Sequence, residues 1–289
     1  MNLNGTTTVF QAGCVIKFAP TNAPKLTINT PLTWQALPYR PVVLTARDDL
    51  TVGELITNSP LTGYYADVAL AITSTNSLAL PNLRIAHAKT AISLAGGSGH
   101  VISHAQFVNC QTGIKPTSAD FSLRNALFHN VLTNFNGSAS TTRGEHVTVN
   151  TASWLNYNSG LTVYLTNSIL AGVTNTGTYS GTSVGSASNP ATVFQTVGAG
   201  WNYLPTSSTH RNVGVTNVNS TLLQQIKTKT TEAPQINTNT YSSNITLSPV
   251  VQRDSDTPDR GYHYEPIDYA VSVLTVTNAL GRSSAFTYN

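Results

Sequence analysis

An apolar pattern returns every 21 residues in the middle of the chain, and that interval limits the architecture more than any other feature. In VISHAQFVNCQTGI (101–114), Ala105, Phe107, Asn109 and Ile114 are matched 21 positions later by Ala126, Phe128, Asn130 and Phe135. The segment LRIAHAKTAI (83–92) aligns with 105–114 at an offset of 22, and the column Phe107, Phe128, Val149 and Leu170 continues at 21. A second column is polar: Asn82, His104, Asn125, His146 and Asn167. Inside each unit the short apolar runs alternate, as in FSLRNALF (121–128), HVTVNTA (146–152) and LTVYL (161–165). Alternation is the period of a strand and not of a helix. Turn-prone stretches such as SLAGGSG (93–99), KPTSAD (115–120) and NGSASTT (136–142) separate the runs.

A unit of this size cannot bury its own apolar face, whereas stacked units can. A leucine-rich consensus is absent, and so is helical periodicity. The expectation is therefore an all-β chain, a right-handed parallel β-helix with about three short strands per coil and successive coils roughly 4.8 Å apart. Residues 1–175 are read as coils, with 50–68 as a long loop excursion. The stretches 7–20 and 25–49 each read as one early coil. Residues 176–277 read as a loop-rich closing segment, with 175–191 as loop and 219–230 as a short helix capped by Asn219 or Ser220. The polar column reads as a structural ladder, in which amides and imidazoles bond to the coils above and below.

Composition sets limits on function. Charged residues are 9% of the chain, against roughly 25% in ordinary soluble domains. Thr, Ser and Asn fill the difference, which points to an extracellular or cell-surface β protein. The net charge is +3 with no basic cluster, so nucleic acid is not an expected partner. No apolar run reaches the roughly 20 residues that span a bilayer. MNLNGTTTVFQAG at the N-terminus lacks the regions of a signal peptide, which suggests a piece of a longer exported chain with flanking domains. The two cysteines, Cys14 and Cys110, fall about three coils apart and are expected to be free thiols.

Two stretches carry a resemblance. VFQTVGAGWNYLPTSSTHRNVG (193–214) resembles the segment that follows the last coils of bacterial secreted right-handed β-helix proteins of the pectate-lyase-like type. RDSDTPDRGYHYEPIDY (253–269) is similar to the Asp-rich ending of the same group, with Gly261, Tyr262, His263 and Tyr264 on its motif. His210-Arg211 departs from the commoner pair at that point. NALGRSSAFTYN (278–289) is similar to one YD/RHS-type repeat and is read as the start of a following repeat. The resemblance implies a β-helical part of a large exported bacterial protein.

Several groups are candidates for chemistry. Asp254, Asp256 and Asp259, near His263 and Glu265, have spacing that suits oxygen ligation of Ca²⁺, acid–base work on a glycoside, or turn capping. Arg47, Asp48 and Asp49 stand at a coil end before the long loop. Arg143 and Glu145, on one strand face with His146 opposite, are the other catalytic candidates. A polygalacturonase-type hydrolase would add Asn-Thr-Asp, Gly-His-Gly and Arg-Ile-Lys in order, and GSGH (97–100) and RIAHAK (84–89) only echo these in the wrong order. Trp34, Tyr39, Tyr64, Tyr65, Trp154, Tyr157 and Tyr164 are candidates for a sugar-binding face. The leading expectation is a non-catalytic structural or adhesive module, with polysaccharide as the candidate partner and no cofactor other than Ca²⁺. The alternative is a polysaccharide lyase or glycoside hydrolase acting in a groove along the coils.

Overall fold

The computed structural model describes all residues except 58, 199, 240–242, 272, 278–282 and 288–289, and it describes the backbone alone from residue 271 onward. The chain winds into a parallel β-solenoid of about eight turns. The first coil comprises Asn2–Leu3, Thr8–Gln11 and Val15–Phe18, and the second Lys25–Ile28, Leu32–Gln35 and Val42–Ala46. Their registers are parallel, with Leu3 beside Ile28, Phe10 beside Trp34 and Val15 beside Val43. After the excursion, Ala66–Ile72 and Ala79–Ala86 lead into the long strands Ala88–Val108, Thr112–His129, Ser140–Asn156 and Leu161–Asn175, which bend around the corners.

The 21-residue interval is the length of one coil. Phe107 lies beside Phe128, and Phe128 beside Val149, in the predicted register. The offset shortens from 22 to 21 at an irregularity between Ala119 and Phe121. That slip accounts for the change of interval seen in the sequence.

The core fills the tube. Ile85, Phe107, Phe128 and Val149 are fully buried, and the rings of Phe107 and Phe128 stack at 4.7 Å with planes 16° apart. Offset stacking of this kind adds about 0.5–1.5 kcal/mol to the area term. Phe135 meets Phe128 edge-on at 5.5 Å.

Two local expectations are corrected. The strand after the excursion begins at Ala66 and not at 69, so the loop is residues 50–65. The stretch 175–191 is not simply loop. Ser180–Ala187 adds another rung, paired with Leu161–Asn175 at an offset of 16 instead of 21. The shorter coil hides the rung from a search at constant period. The helix forms at Ser220–Ile226, with the Asn219 side chain accepting from Leu222 N–H at 3.1 Å. Within 278–289, Ser283–Thr287 pairs antiparallel with Val273–Thr277. Residues 278–282 and 288–289, and with them the resemblance to a following repeat, lie outside the described residues.

The closing segment returns along one outer wall of the solenoid. Leu127, Thr148 and Ile169 alternate with the core residues and point outward, yet they are buried beneath it. Gly261 makes the close approach possible. Its φ is +89°, and a Cβ there would stand 2.5 Å from Thr148 Oγ1 and 2.8 Å from Ile169 Cδ1. Ile169, Ala171, Val193, Phe194 and Leu204 make a second, smaller core at this seam.

Candidate functional site

The polar column has a backbone origin. Asn82, His104, Asn125, His146 and Asn167 all have φ between 49° and 54°, and Ser183 extends the column on the last rung at 55°. Each sits inside a strand at the point where it bends around a corner of the coil, and that bend needs a left-handed residue. Asn and His enter that conformation more readily than most side chains. His87, Asn109, Asn130, Thr151 and Gly172 form a second left-handed corner, so Asn109 and Asn130 also have a conformational reason.

Hydrogen bonding along the first column is paired and not continuous. Asn125 Nδ2 donates to His104 Nδ1 at 3.0 Å, and Asn167 Nδ2 to His146 Nε2 at 3.1 Å. No such bond joins Asn125 to His146. Each Asn amide instead uses its remaining capacity on the closing segment. Asn125 Oδ1 accepts the His263 N–H at 2.7 Å while Nδ2 donates to the His263 carbonyl at 2.8 Å. Asn167 does the same with Val215, at 2.8 Å in both directions. Two side chains thus imitate a strand edge and dock a second segment. Asn82 stands apart, donating weakly to the Ala36 carbonyl at 3.4 Å.

The densest group of titratable residues lies under this seam. His263 Nε2 meets Asp254 Oδ2 at 2.5 Å, and its Nδ1 lies 3.0 Å from the Gly261 carbonyl. The His146 ring meets the His263 ring edge-on at 5.1 Å. Asp259 accepts from Thr231 Oγ1 at 2.5 Å and from Asn212 N–H at 2.8 Å, and burial pushes its carboxyl above the usual range. Lys229 is paired with Glu265, and burial lowers its ammonium to about 8. Side-chain exposure is 0% for His263 and 2% for Asp254, so the pair is closed to any dissolved substrate.

The sequence candidates are distributed as follows. Asp254 and Asp259 come together, and the Asp259 N–H donates to Asp254 at 2.8 Å. Asp256 lies apart from them, against the Asn212 amide at 3.2 Å. Among the described residues no group of three or more His, Cys, Asp or Glu side chains is arranged to hold a metal ion.

Asp48 and Asp49 are neighbours in sequence that serve different partners. Asp48 receives Arg47 at 2.9 Å, Tyr65 OH at 2.5 Å and the Thr57 hydroxyl. The Arg47 guanidinium and the two hydroxyls hold its carboxyl far below the ordinary carboxylate range. Asp49 receives Thr45 Oγ1 at 2.6 Å and the Thr51 N–H at 2.9 Å. Both carboxylates therefore anchor the ends of the 50–65 loop.

Arg143 and Glu145 share the outward face, but His146, expected opposite them, turns at the left-handed corner and meets His263 of the closing segment. The Arg143 guanidinium lies 4.7 Å over the Tyr164 ring. Glu145 accepts the Asn219 N–H at 2.8 Å and so fixes the start of the short helix. Of the aromatic candidates, Tyr39, Tyr157 and Tyr164 are exposed, whereas Tyr65 is buried on Asp48. Trp34 donates to the Pro81 carbonyl at 2.7 Å.

Sequence reasoning missed the partners of Asn125 and Asn167, because nothing local links 125 to 263 or 167 to 215. It also missed Asn202, which joins His129 at 3.3 Å to Asn150 at 2.6 Å beneath the exposed Trp201. The Gly261–Tyr264 motif was the available signal: Tyr262 N–H donates to Thr148 Oγ1, and Tyr264 packs on both Tyr203 and Tyr262. Among the described residues no helix is long and apolar enough to cross a membrane. Comparison of the chain with protein-family models, with curated proteins and with solved structures found no match.

Proposed function

We propose that this chain is a non-catalytic structural or adhesive module, a β-helical stem of a larger secreted or cell-surface protein that contacts polysaccharide. What supports the reading is the commitment of its acidic groups. Asp48 and Asp49 hold a loop, Glu145 holds a helix start, and Asp254 and Asp259 lie within the seam. General acid–base work on a glycoside needs a carboxyl within reach of substrate oxygen. These carboxyls reach the chain's own donors.

Arg143 over Tyr164 is the feature that favours glycan contact. Both are exposed on a strand face, where an aromatic ring can stack on a sugar and a guanidinium can face an acidic one. The resemblance of 193–214 and 253–269 to bacterial exported β-helix proteins supports the location. The test is a panel of neutral and uronic-acid polysaccharides assayed for new reducing ends and unsaturated products, with and without EDTA. Binding without turnover, weakened by Tyr164→Ala, is the expected result. Product formation on any polymer overturns the scaffold reading in favour of a lyase or hydrolase.

A further inference from the structure

Two histidines in the corner column make hydrogen bonds that only their neutral forms satisfy. The Asn125 amide cannot turn over, because its oxygen accepts the His263 N–H and its nitrogen donates to the His263 carbonyl. The second hydrogen of that NH₂ points at His104 Nδ1, 3.0 Å away. A ring nitrogen that receives an N–H must keep its lone pair. His104 therefore carries its proton on Nε2, which meets Gln225 Oε1 at 3.0 Å. Asn167 is fixed in the same way by Val215, and it donates to His146 Nε2 at 3.1 Å. His146 therefore holds its proton on Nδ1.

We propose that His104 and His146 form an acid-sensitive latch: protonation of either ring sets an N–H against the N–H of an asparagine that cannot rotate, and releases the closing segment around residues 213–215 and 261–264 from the solenoid wall. The consequence reaches the backbone because one amide serves both partners. Asn125 can relieve the conflict with a protonated His104 only by giving up His263, and Asn167 can do so with His146 only by giving up Val215.

Burial outweighs the groups around both rings, of which the Gln225 side chain at His104 and the Gly261 and Asp259 backbone at His146 favour a positive charge and Lys229 and His263 disfavour it. His104 faces Lys229, itself paired with Glu265, and the His263 ring. His146 faces His263, which is bonded to Asp254, and the backbone of Asp259 and Gly261. Burial first, then Lys229 and the His263 ring, lowers His104 to about 4, and burial first, then the His263 ring, lowers His146 well below the ordinary histidine value. A histidine lowered in the folded state contributes its full stabilisation above the unfolded value of about 6.5 and loses it as pH falls towards the folded value. The docking equilibrium then weakens by up to about tenfold per pH unit for each histidine. Asp259, raised by burial, acts with the opposite sign, but nearer the carboxylate range. His87, His129 and His210 are lowered too, so the test must separate them.

The experiment is amide hydrogen exchange on the full chain at pH 7 and pH 5, corrected for the intrinsic rate. Protection of the His263 and Val215 amides is expected to fall at least tenfold at pH 5, while Phe128 and Val149 in the tube keep theirs. The double variant His104→Asn/His146→Asn is expected to hold the segment at both pH values. Asn already occupies this corner at three other coils, and Asn130 bonds Asn109 across adjacent coils at 2.8 Å. Equal protection of wild type at the two pH values overturns the latch. So does equal loss in the double variant, or loss at Phe128 and Val149 in step with the segment. Should the double variant fail to dock at pH 7, imidazole ¹⁵N shifts of the wild type decide. Protons on Nε2 of His104 and Nδ1 of His146 are expected, and the opposite tautomer at either ring overturns the proposal.

Discussion

Asn125 and His263 are 138 positions apart, and they exchange two hydrogen bonds as neighbouring strands would, at 2.7 and 2.8 Å. The Asn125 side chain is fully buried, and its amide pairs both the backbone N–H and the C=O of His263. Replacing Asn125 with Leu leaves both unsatisfied, at about 1–3 kcal/mol each. It also places a branched side chain at φ 53°, which adds roughly 1–2 kcal/mol. A loss of about 3–8 kcal/mol is expected by chemical denaturation. Asn125→Gly separates the two contributions, because glycine accepts the corner but lacks the amide. Equal stability of Asn125→Gly and wild type would show that the docking bonds contribute nothing.

How much of this was legible in the chain depends on where the information lies. The tube is a local matter repeated: Phe107, Phe128 and Val149 recur because each coil must cover the last, so periodicity exposes them. The corner column was visible for a related reason, since Asn and His answer the same left-handed turn each time. The pairing of that column was not visible. A ladder of identical residues and a row of docking points look the same in sequence, and only the returning segment tells them apart. Ser180–Ala187 escaped for a simpler reason: five residues fewer in one coil break the period without breaking the register. Among the acidic candidates the sequence indicates clustering but not direction. Asp48 and Asp49 are adjacent, yet one binds Arg47 and Tyr65 and the other Thr45 and Thr51.

Phe128 is among the largest fully buried side chains of the tube. Its ring stacks on Phe107, meets Phe135 edge-on and lies against Gly113, where a Cβ would stand 2.6 Å from its Cε1. The site cannot collapse, because the backbone on every side is tied into the coils. Phe128→Ala is therefore expected to cost about 3–5 kcal/mol. Gly113→Ala should also destabilise, from overpacking, by about 1–3 kcal/mol. Thermal or urea unfolding measures both, and a Phe128→Ala loss under about 1 kcal/mol would mean that the stack is not packed as described.

Asp48 controls the excursion more than the tube. All three of its side-chain partners, Arg47, Thr57 and Tyr65, are donors at the ends or within the 50–65 loop. Asp48→Asn turns an acceptor oxygen into a donor facing them. The loop exposes Leu50, Leu55 and Ile56, so a loosened loop offers ready cleavage sites. Limited proteolysis is expected to cut within 50–65 several-fold faster in the variant, with a nearly unchanged global unfolding midpoint. The wild-type loop should loosen in strong acid by the same route. A carboxyl held low in the folded state stabilises above its unfolded value and ceases to do so as pH falls through the carboxylate range. An unchanged cleavage pattern in Asp48→Asn would remove this role.

The two thiols give a chemical readout of the coil assignment. Both are free, with Cys14 half-buried on the first turn of the chain and Cys110 fully buried. Cys110 Sγ points at the Val108 carbonyl at 3.4 Å, and burial pushes its thiol up to about 12. Alkylation proceeds through the thiolate, so Cys110 is doubly protected, by access and by acidity. Iodoacetamide at pH 8 is expected to modify Cys14 in the native protein and to reach Cys110 only when denaturant opens the tube. The modification rate of Cys110 should then follow the unfolding equilibrium, and Phe128→Ala should accelerate it in proportion to the stability lost. Native labelling of Cys110 at the rate of Cys14 would place it outside the core and contradict the winding at that coil.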